Sequence, residues 1–347
     1  MDAAIVPLRW VGPVKITGNV VDEPVEIPLA TYESPLWPSV ARGAKITRRC
    51  ARGIVATLVD ERMTRSVLLE ADDAGTALAA ARSLADSMGE LRRIVSECSR
   101  YAELLEVRHQ IAGNLLFLRF EFSTGDASGH NMATLAADAL LAYVVRTFPG
   151  LRYESVSGNF CTDKKASAVN GILGRGKNVV TELLIPRAVV ENDLHTTARR
   201  VAALNVRKNL IGTNLAGGIR SANAHYANML LAVYLATGQD AANIVEGSQG
   251  ITHAENRDGD LYFSCTLPNL IVGTVGNGKG LDFAAANLAR LGCRDDRPTG
   301  ENSRRLAVVT AAAVLCGELS LMAAQTNSGE LMRTHLNFER SPSDGGN

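Results

Sequence analysis

The sequence lacks several things that would settle its class at once. Its six cysteines, at 50, 98, 161, 265, 293 and 316, contain no CxxC pair. This spacing argues against a zinc or disulfide framework, no metal site is expected, and free, mostly buried thiols fit better. Net charge is absent too: Lys plus Arg and Asp plus Glu both number 36. A chain built to coat nucleic acid or an acidic membrane carries an excess of one sign. No uninterrupted apolar run approaches the ~18 residues that span a bilayer. The first residues, MDAAIVPLRWVGPVKITG, show no basic-then-apolar leader pattern. A cytoplasmic protein with neither nucleic-acid nor membrane partners is expected. Low-complexity sequence is missing before the polar tail SPSDGGN.

What is present is an ordinary globular mixture, 46% hydrophobic and 21% charged over 347 residues. That length suits two domains, or one large domain with an insertion. Val14–Thr17 and Ile54–Val59 read as short extended pieces. Residues 67–155 read strand, helix, strand, strand, helix: VLLEA; a single amphipathic helix over DAGTALAAARSLADSMGELRRIVSE; a hairpin turning at Ala112-Gly113-Asn114; and a long helix ended by Pro149-Gly150. This is a compact α+β unit. From residue 160 the chain turns strongly helical. NAHYANMLLAVYLATG and NSRRLAVVTAAAVLCGELSLMAAQ are apolar on every side, as in a large core or a subunit interface. LYFSCTLPNLIVGTV between them reads as a strand pair. The pattern predicts an α+β protein in which a large helical domain, 1–66 and 156–347, carries a small inserted domain, 67–155.

Five stretches bear chemistry. In SGNFCTDKKASAVN, Asp163, Lys164 and Lys165 follow a Gly turn and precede an amphipathic stretch. A partly buried lysine kept charged by a carboxylate polarises a carbonyl, whereas a surface ion pair is the commoner use. ATYESPLWPSVARGAKITRRCAR offers Glu33, then Arg42, Lys45, Arg48, Arg49 and Arg52. The cationic run fits a solvated face or a phosphate clamp; without interleaved aromatics, nucleic acid is the weakest reading. Ser99-Arg100-Tyr101 reads as a helix start or as a phosphate grip. GDASGHNM, Gly125 to Met132, reads as a plain helix N-terminus or as a weak nucleotide signal. Polar Lys208, Asn223, His225, Asn228 and Asp240 sit among apolar helices. Asp240 lies past a helix C-terminus, where an acid needs a partner, and His335 follows a polar break.

The order of these segments carries more than any one of them. EIPLATYE, SRYAEL, GDASGHNM, SGNFCTDKK, NVRKNLIG, NAHYAN, GQDAAN, SCTLPN, IVGTVG, CGELSLMAA and THL resemble, in sequence order, the hallmark segments of the 3-hydroxy-3-methylglutaryl-CoA reductase family. The chain looks like a soluble, catalytic-region-only member. The resemblance implies reduction of 3-hydroxy-3-methylglutaryl-CoA to mevalonate and coenzyme A with two NADPH. It also implies a ferredoxin-like cofactor domain and a homo-oligomer, dimer or tetramer, whose site lies between subunits. Glu33 and Lys164 would come from one chain, with Asp240 from the other or at the shared interface. Glu33, Lys164, Asp240 and His335 match the catalytic set. Arg65, Ser157, Asp163, Lys165, Lys208 and Asn228 match contacts to the acyl group. Ser39, Arg42 and Lys45 fall where the family binds coenzyme A phosphates. Ser99, Arg100, Tyr101 and the run Asp126, Ala127, Ser128, Gly129, His130 and Asn131 match the NADP-binding segments. Departures are Ser34-Pro35-Leu36-Trp37-Pro38 after the glutamate, Ala41 for a common asparagine, Ser128 and His130 for two methionines, and GTVGNGK for a Gly-rich G-T-V-G-G-G. A reductase of a related acyl-CoA and an inactive regulatory homologue are the alternatives.

Overall fold

A computed structural model describes residues 4–332 and Leu336. Ten strands form one mixed sheet system: β1 (Leu8–Gly18), β2 (Pro24–Ala30), β3 (Ile54–Ala71), β4 (Glu103–Ala112), β5 (Leu115–Ser123), β6 (Leu151–Ser155), β7 (Gly176–Ile185), β8 (Ser221–Ala222), β9 (Gly250–Arg257) and β10 (Asp260–Leu270). The main path runs β2-β1-β3-β7-β10-β9-β8. The fold is mixed α+β.

β3 organises the molecule. Its first half pairs parallel to β1 and antiparallel to β7. Its second half pairs antiparallel to β5 and β6. One 18-residue strand thus serves two apolar cores. The smaller core joins Met63–Ala71 to α2 (Ala74–Asp86), α3 (Met88–Cys98), β4, β5 and α4 (His130–Thr147). The larger contains β1, β2, β7, β10, α1 (Leu36–Arg49) and the later helices. The break expected at residue 66 falls inside this strand, because both halves of β3 are hydrogen-bonded throughout.

Other expectations fare unevenly. The hairpin at Gly113 is present, with that glycine at φ +61°, and so is the long helix α4. The single helix over 74–98 is two helices. The Ser87 hydroxyl donates to Ser83 O (2.8 Å) and Gly89 follows, which ends α2 and restarts the chain as α3. LYFSCTLPNLIVGTV is one strand, β10, whose neighbours are β7 and β9; after Leu270 the chain leaves the sheet. Strands β7, β9 and β10 make the later part far less helical than its composition implies.

The remaining helices are α5 (Ala168–Leu173), α6 (Arg187–Asp193), α7 (Ala198–Leu204), α8 (Thr213–Leu215), α9 (Tyr226–Ala236), α10 (Ile244–Gly247), α11 (Asp282–Arg290) and α12 (Glu301–Gln325). A π-helical stretch, Asn205–Gly212, links α7 to α8. By length and composition α12 is apolar enough to cross a bilayer, but 94% of its most apolar window is buried inside the fold. It packs against α1 and α9 as the core helix of the larger unit. The all-round apolar faces of α9 and α12 are therefore consumed within one chain, and subunit contact is not needed to cover them. The six cysteines are free and all but Cys98 are buried.

Candidate active site

The loop 157–167 carries the densest backbone strain. Asn159, Thr162 and Lys164 take φ of +59°, +43° and +56°. Each costs of order 1 kcal/mol or more, so surrounding structure must hold them. Buried Arg119 does part of this: it donates to Phe160 O (3.3 Å), Asn170 Oδ1 (2.9 Å) and Gly174 O (2.7 Å). Asn170 Nδ2 donates in turn to Cys161 O (2.9 Å). The Thr162 and Ser167 hydroxyls bond each other at 2.6 Å.

This scaffold presents Lys164. Its Nζ lies 2.7 Å from Asp240 Oδ2, and both side chains are nearly half exposed. The hydrogen bond that its ammonium donates to Asp240 holds the lysine above its ordinary pKa. Burial raises Asp240, but the Lys164 hydrogen bond, the Ala242 amide and the lysine charge outweigh it, so the carboxylate lies below its usual range. Asp240 also caps the 3₁₀ turn Ala241–Asn243, its Oδ1 accepting from Ala242 N (3.1 Å). An acid that looks misplaced after a helix C-terminus thus stands at the next N-terminus, where it is favoured. Lys164 and Asp240 meet within one chain.

Behind this pair Asp163 Oδ1 lies 3.0 Å from Arg175 and 3.8 Å from His130 Nε2. Arg175 is fully buried and also pairs with buried Glu246. Burial pushes Glu246 up to about 7 against the pull of Arg175. His130, the first residue of α4, donates from Nε2 to Asn243 Oδ1 (3.2 Å). Burial first, then the Arg175 charge, pulls it down to about 4, with Asp163 opposing. His130 is neutral near pH 7. Among the described residues Lys165 Nζ reaches only the Asp163 carbonyl (2.9 Å), and it stays exposed. Arg65, on β3, donates to Ser157 Oγ (3.4 Å) and Thr134 Oγ1 (2.6 Å).

Glu33 has a different partner. It precedes α1, and its Oε2 accepts from Asn228 Nδ2 (2.9 Å). Both line a cavity of about 370 Å³ with Ser39, Arg42 and His225. His225 is fixed by Gly317 O (3.0 Å) and by Glu318, which accepts from its backbone N (3.0 Å). Arg42 holds Glu330 (2.8 Å) and Leu194 O (2.9 Å), and Lys45 pairs with Asp193 (3.0 Å). Lys208 lies on the π-helical stretch; burial lowers its pKa, with the Glu318 charge opposing. No hydrogen bond or ion pair joins Glu33 to Lys164 or Asp240 among the described residues. His335 lies outside the described residues.

A profile of the family described as hydroxymethylglutaryl-coenzyme A reductase matches residues 3–340. The chain belongs to that family. Similar to it is the 3-hydroxy-3-methylglutaryl-coenzyme A reductase of Pyrococcus horikoshii, 44% identical over 322 residues, covering 92% of this chain and 78% of that protein. The enzyme of the same name from Aeropyrum pernix is 44% identical over 335 residues (96% and 79%). That of Haloferax volcanii is 42% identical over 336 (96% and 82%). In fold the chain is similar to a class II reductase of Streptococcus pneumoniae solved with NADPH, with a TM-score of 0.74 at 19% identity over 94% of this chain and 86% of that one. Membership makes the chain an oxidoreductase.

The rim segments take unequal positions. Ser99 is not a helix start; it closes α3, and its Oγ accepts from the amides of Tyr101 and Ala102 (both 3.2 Å). Arg100 lies 4.7 Å over the Tyr101 ring and makes no ion pair among the described residues. Asp126 spends both carboxylate oxygens on α12, accepting from Gly300 N and Ser303 N (both 2.9 Å). Ala127 bridges to Val275, and Gly129, at φ +92°, lets the chain turn into α4. Trp37 is buried, with Nε1 donating to Leu29 O (2.9 Å).

Pattern reading missed Arg119, Asn170, Arg175 and Glu246, the groups that hold the loop. One signal was available: in LLFLRFEFS the charges Arg119 and Glu121 alternate inside an otherwise apolar strand, and both are fully buried.

Proposed function

We propose that the chain reduces 3-hydroxy-3-methylglutaryl-CoA to mevalonate and free coenzyme A, with Glu33, Lys164, Asp240 and His335 as its catalytic residues. The observation that carries this is the Lys164–Asp240 pair at 2.7 Å on a strained, rigidly braced loop. NADPH supplies the hydride for each of the two reductions. Each reduction places negative charge on a carbonyl oxygen, and a fixed ammonium beside that oxygen stabilises it. Asp240 keeps Lys164 charged. Glu33 gives a proton to the aldehyde oxygen at the second reduction. His335, by family resemblance, protonates the departing thiolate.

The residues fit a phosphorylated cofactor and an acidic acyl-CoA. Arg100, without an ion-pair partner among the described residues and beside the Ser99 hydroxyl and Tyr101 ring, suits the 2′-phosphate. Residues 126–131 enter the 18-residue helix α4, whose first amides suit a diphosphate. Arg65, Ser157, Asp163, Lys165, Lys208 and Asn228 hold the acyl part, and Lys165 meets its free carboxylate. Ser39, Arg42 and Lys45 hold coenzyme A phosphates. Two separate apolar cores support a division into a large substrate domain (1–66, 156–347) and a small ferredoxin-like NADP domain (67–155).

A homo-oligomer with a shared site is supported by the lack of any hydrogen bond or ion pair between Glu33 or Asn228 and Lys164 or Asp240 among the described residues: a neighbouring copy would bring the two halves together. Val206, Leu210, Ile211, Leu215 and Ile219 are exposed along the Lys208 segment and offer the apolar surface for that contact. A cytoplasmic location fits the balanced charge. Trp37 is in the core, whereas Pro35, Leu36 and Pro38 of the same segment line the cavity beside Glu33. NADPH oxidation with 3-hydroxy-3-methylglutaryl-CoA, in wild type beside Lys164→Ala, tests the proposal. A folded wild type without turnover would favour a regulatory homologue.

A further inference from the structure

Lys279 is a titratable group that the chemistry above leaves unused. It ends the irregular stretch Gly273–Lys279 between β10 and α11. The residue is only 4% exposed. Its backbone is tied on both sides, N to Gly276 O (3.2 Å) and O from Arg294 (2.6 Å). Its ammonium has no hydrogen bond or ion pair among the described residues. A buried, unpartnered ammonium is costly, so its setting must supply a compensating field.

That field comes from Asp240. Burial lowers the lysine's pKa and the Asp240 charge opposes it. The backbone explains the proximity. Gly238 and Gly278 pack so closely that a Cβ on either would fall 2.3 Å from the other's carbonyl oxygen. The Gln239 side chain donates to Gly273 O and accepts from Gly273 N, both at 3.0 Å. These contacts clamp the Lys279 turn onto Gly238-Gln239-Asp240.

We propose that Lys279 is a positioning residue of the reductive site, a second cation that keeps Asp240 ionised while Lys164 turns its ammonium to the substrate oxygen. This deepens the reading of Lys164 and Asp240 given above and rests on it. As Lys164 is shared with a developing oxyanion, Asp240 loses part of its partner and gains affinity for a proton. Protonated Asp240 no longer supports Lys164. A positive charge that is near Asp240 but takes none of its hydrogen bonds removes that tendency. The titratable groups facing Asp240 are Lys164 from the loop, His130 from α4, Tyr234 from α9 and Lys279. His130 is neutral near pH 7, which leaves Lys279 as the supporting cation among the described residues. Asp163 and Glu246 act on Lys164 as further negative charges.

The test compares kcat/KM for 3-hydroxy-3-methylglutaryl-CoA against pH in wild type, Lys279→Met and Lys279→Arg. Loss of a positive charge raises a carboxylate pKa, so activity that needs ionised Asp240 fails at a higher pH. Lys279→Met should move the acidic limb up by about 0.5–1 pH unit. Because Asp240 lies below the usual carboxylate range, kcat near neutrality should change by less than about twofold, with KM for NADPH unchanged. Lys279→Arg should restore the limb. An unmoved limb overturns the proposal, as does an unmoved limb with a raised NADPH KM, which would make Lys279 a cofactor ligand. Lys279→Gln gives the same comparison should the methionine variant fail to fold. Inactive wild type would sink the functional reading itself, whereas active wild type with an unmoved limb sinks this inference alone.

Discussion

The Lys164–Asp240 locus and the Glu33–Asn228 locus are built on opposite plans. The first is a strained loop, three left-handed residues within six, braced from beneath by the buried charges Arg119, Arg175 and Glu246. Its reacting ends are half exposed. The second needs no strain. Glu33 sits where β2 gives way to α1, its partner Asn228 comes from α9, and both line a cleft beside the core helix α12. One locus holds a fixed positive charge and the other a hydrogen-bonded acid. Neither contains both, and the chemistry needs both at one carbonyl. The difference teaches that one locus is built to fix a charge and the other to hold a hydrogen-bonded acid; the proposed neighbouring copy is what would bring them to one carbonyl.

The sharpest way to break that comparison is Lys164→Ala. Charge develops on oxygen in both reductions, so the ammonium is required twice. Turnover with 3-hydroxy-3-methylglutaryl-CoA and with mevaldehyde should each fall by about 10²–10³-fold or more. Loss of only one activity would assign Lys164 to a single step. Glu33→Gln should fall by about 10²-fold with mevaldehyde, because its amide has no proton to give.

Mixing those two variants asks where the half-sites meet. In a dimer with shared sites, half of randomly reassorted dimers are mixed and each mixed dimer has one intact site, so about a quarter of wild-type activity should return. If the half-sites meet within one chain, mixing restores nothing. Arg100→Ala should act at the rim alone. It should cut kcat/KM for NADPH by roughly ten- to a hundredfold, a loss of about 1.5–3 kcal/mol, and leave NADH untouched. Equal use of both cofactors by wild type would remove Arg100 from that role.

Much of this was legible in the chain, for identifiable reasons. Asp163-Lys164 and Asp240 stand out because charges interrupt apolar sequence, and the hairpin at Gly113 because turns have local chemistry. Strand β3 defeats local reading: its two halves belong to different cores, and nothing within residues 54–71 marks the crossing. The braces Arg175 and Glu246 were invisible because each is an ordinary charge until the fold buries both. Asp240 was read as opposing one helix when it caps another, a distinction that depends on four residues of backbone direction.

The smallest predicted effect separates a ligand from a brace within one short segment. Asp126 belongs by resemblance to the cofactor-binding run, yet its carboxylate caps α12 through Gly300 N and Ser303 N. Gly300 itself offers α12 no side-chain cap. Asp126→Ala should therefore cost about 0.5–2 kcal/mol of stability, the worth of a lost helix cap. In thermal unfolding that is a drop of roughly 2–4 °C for each kcal/mol, or less in a chain this long. KM for NADPH should stay within about twofold, since 1.4 kcal/mol of lost contact would already show as tenfold. Asp126→Asn, which keeps an acceptor, should recover part of the stability. A raised KM with an unchanged melting temperature would return Asp126 to the cofactor and leave the N-terminus of α12 without its cap.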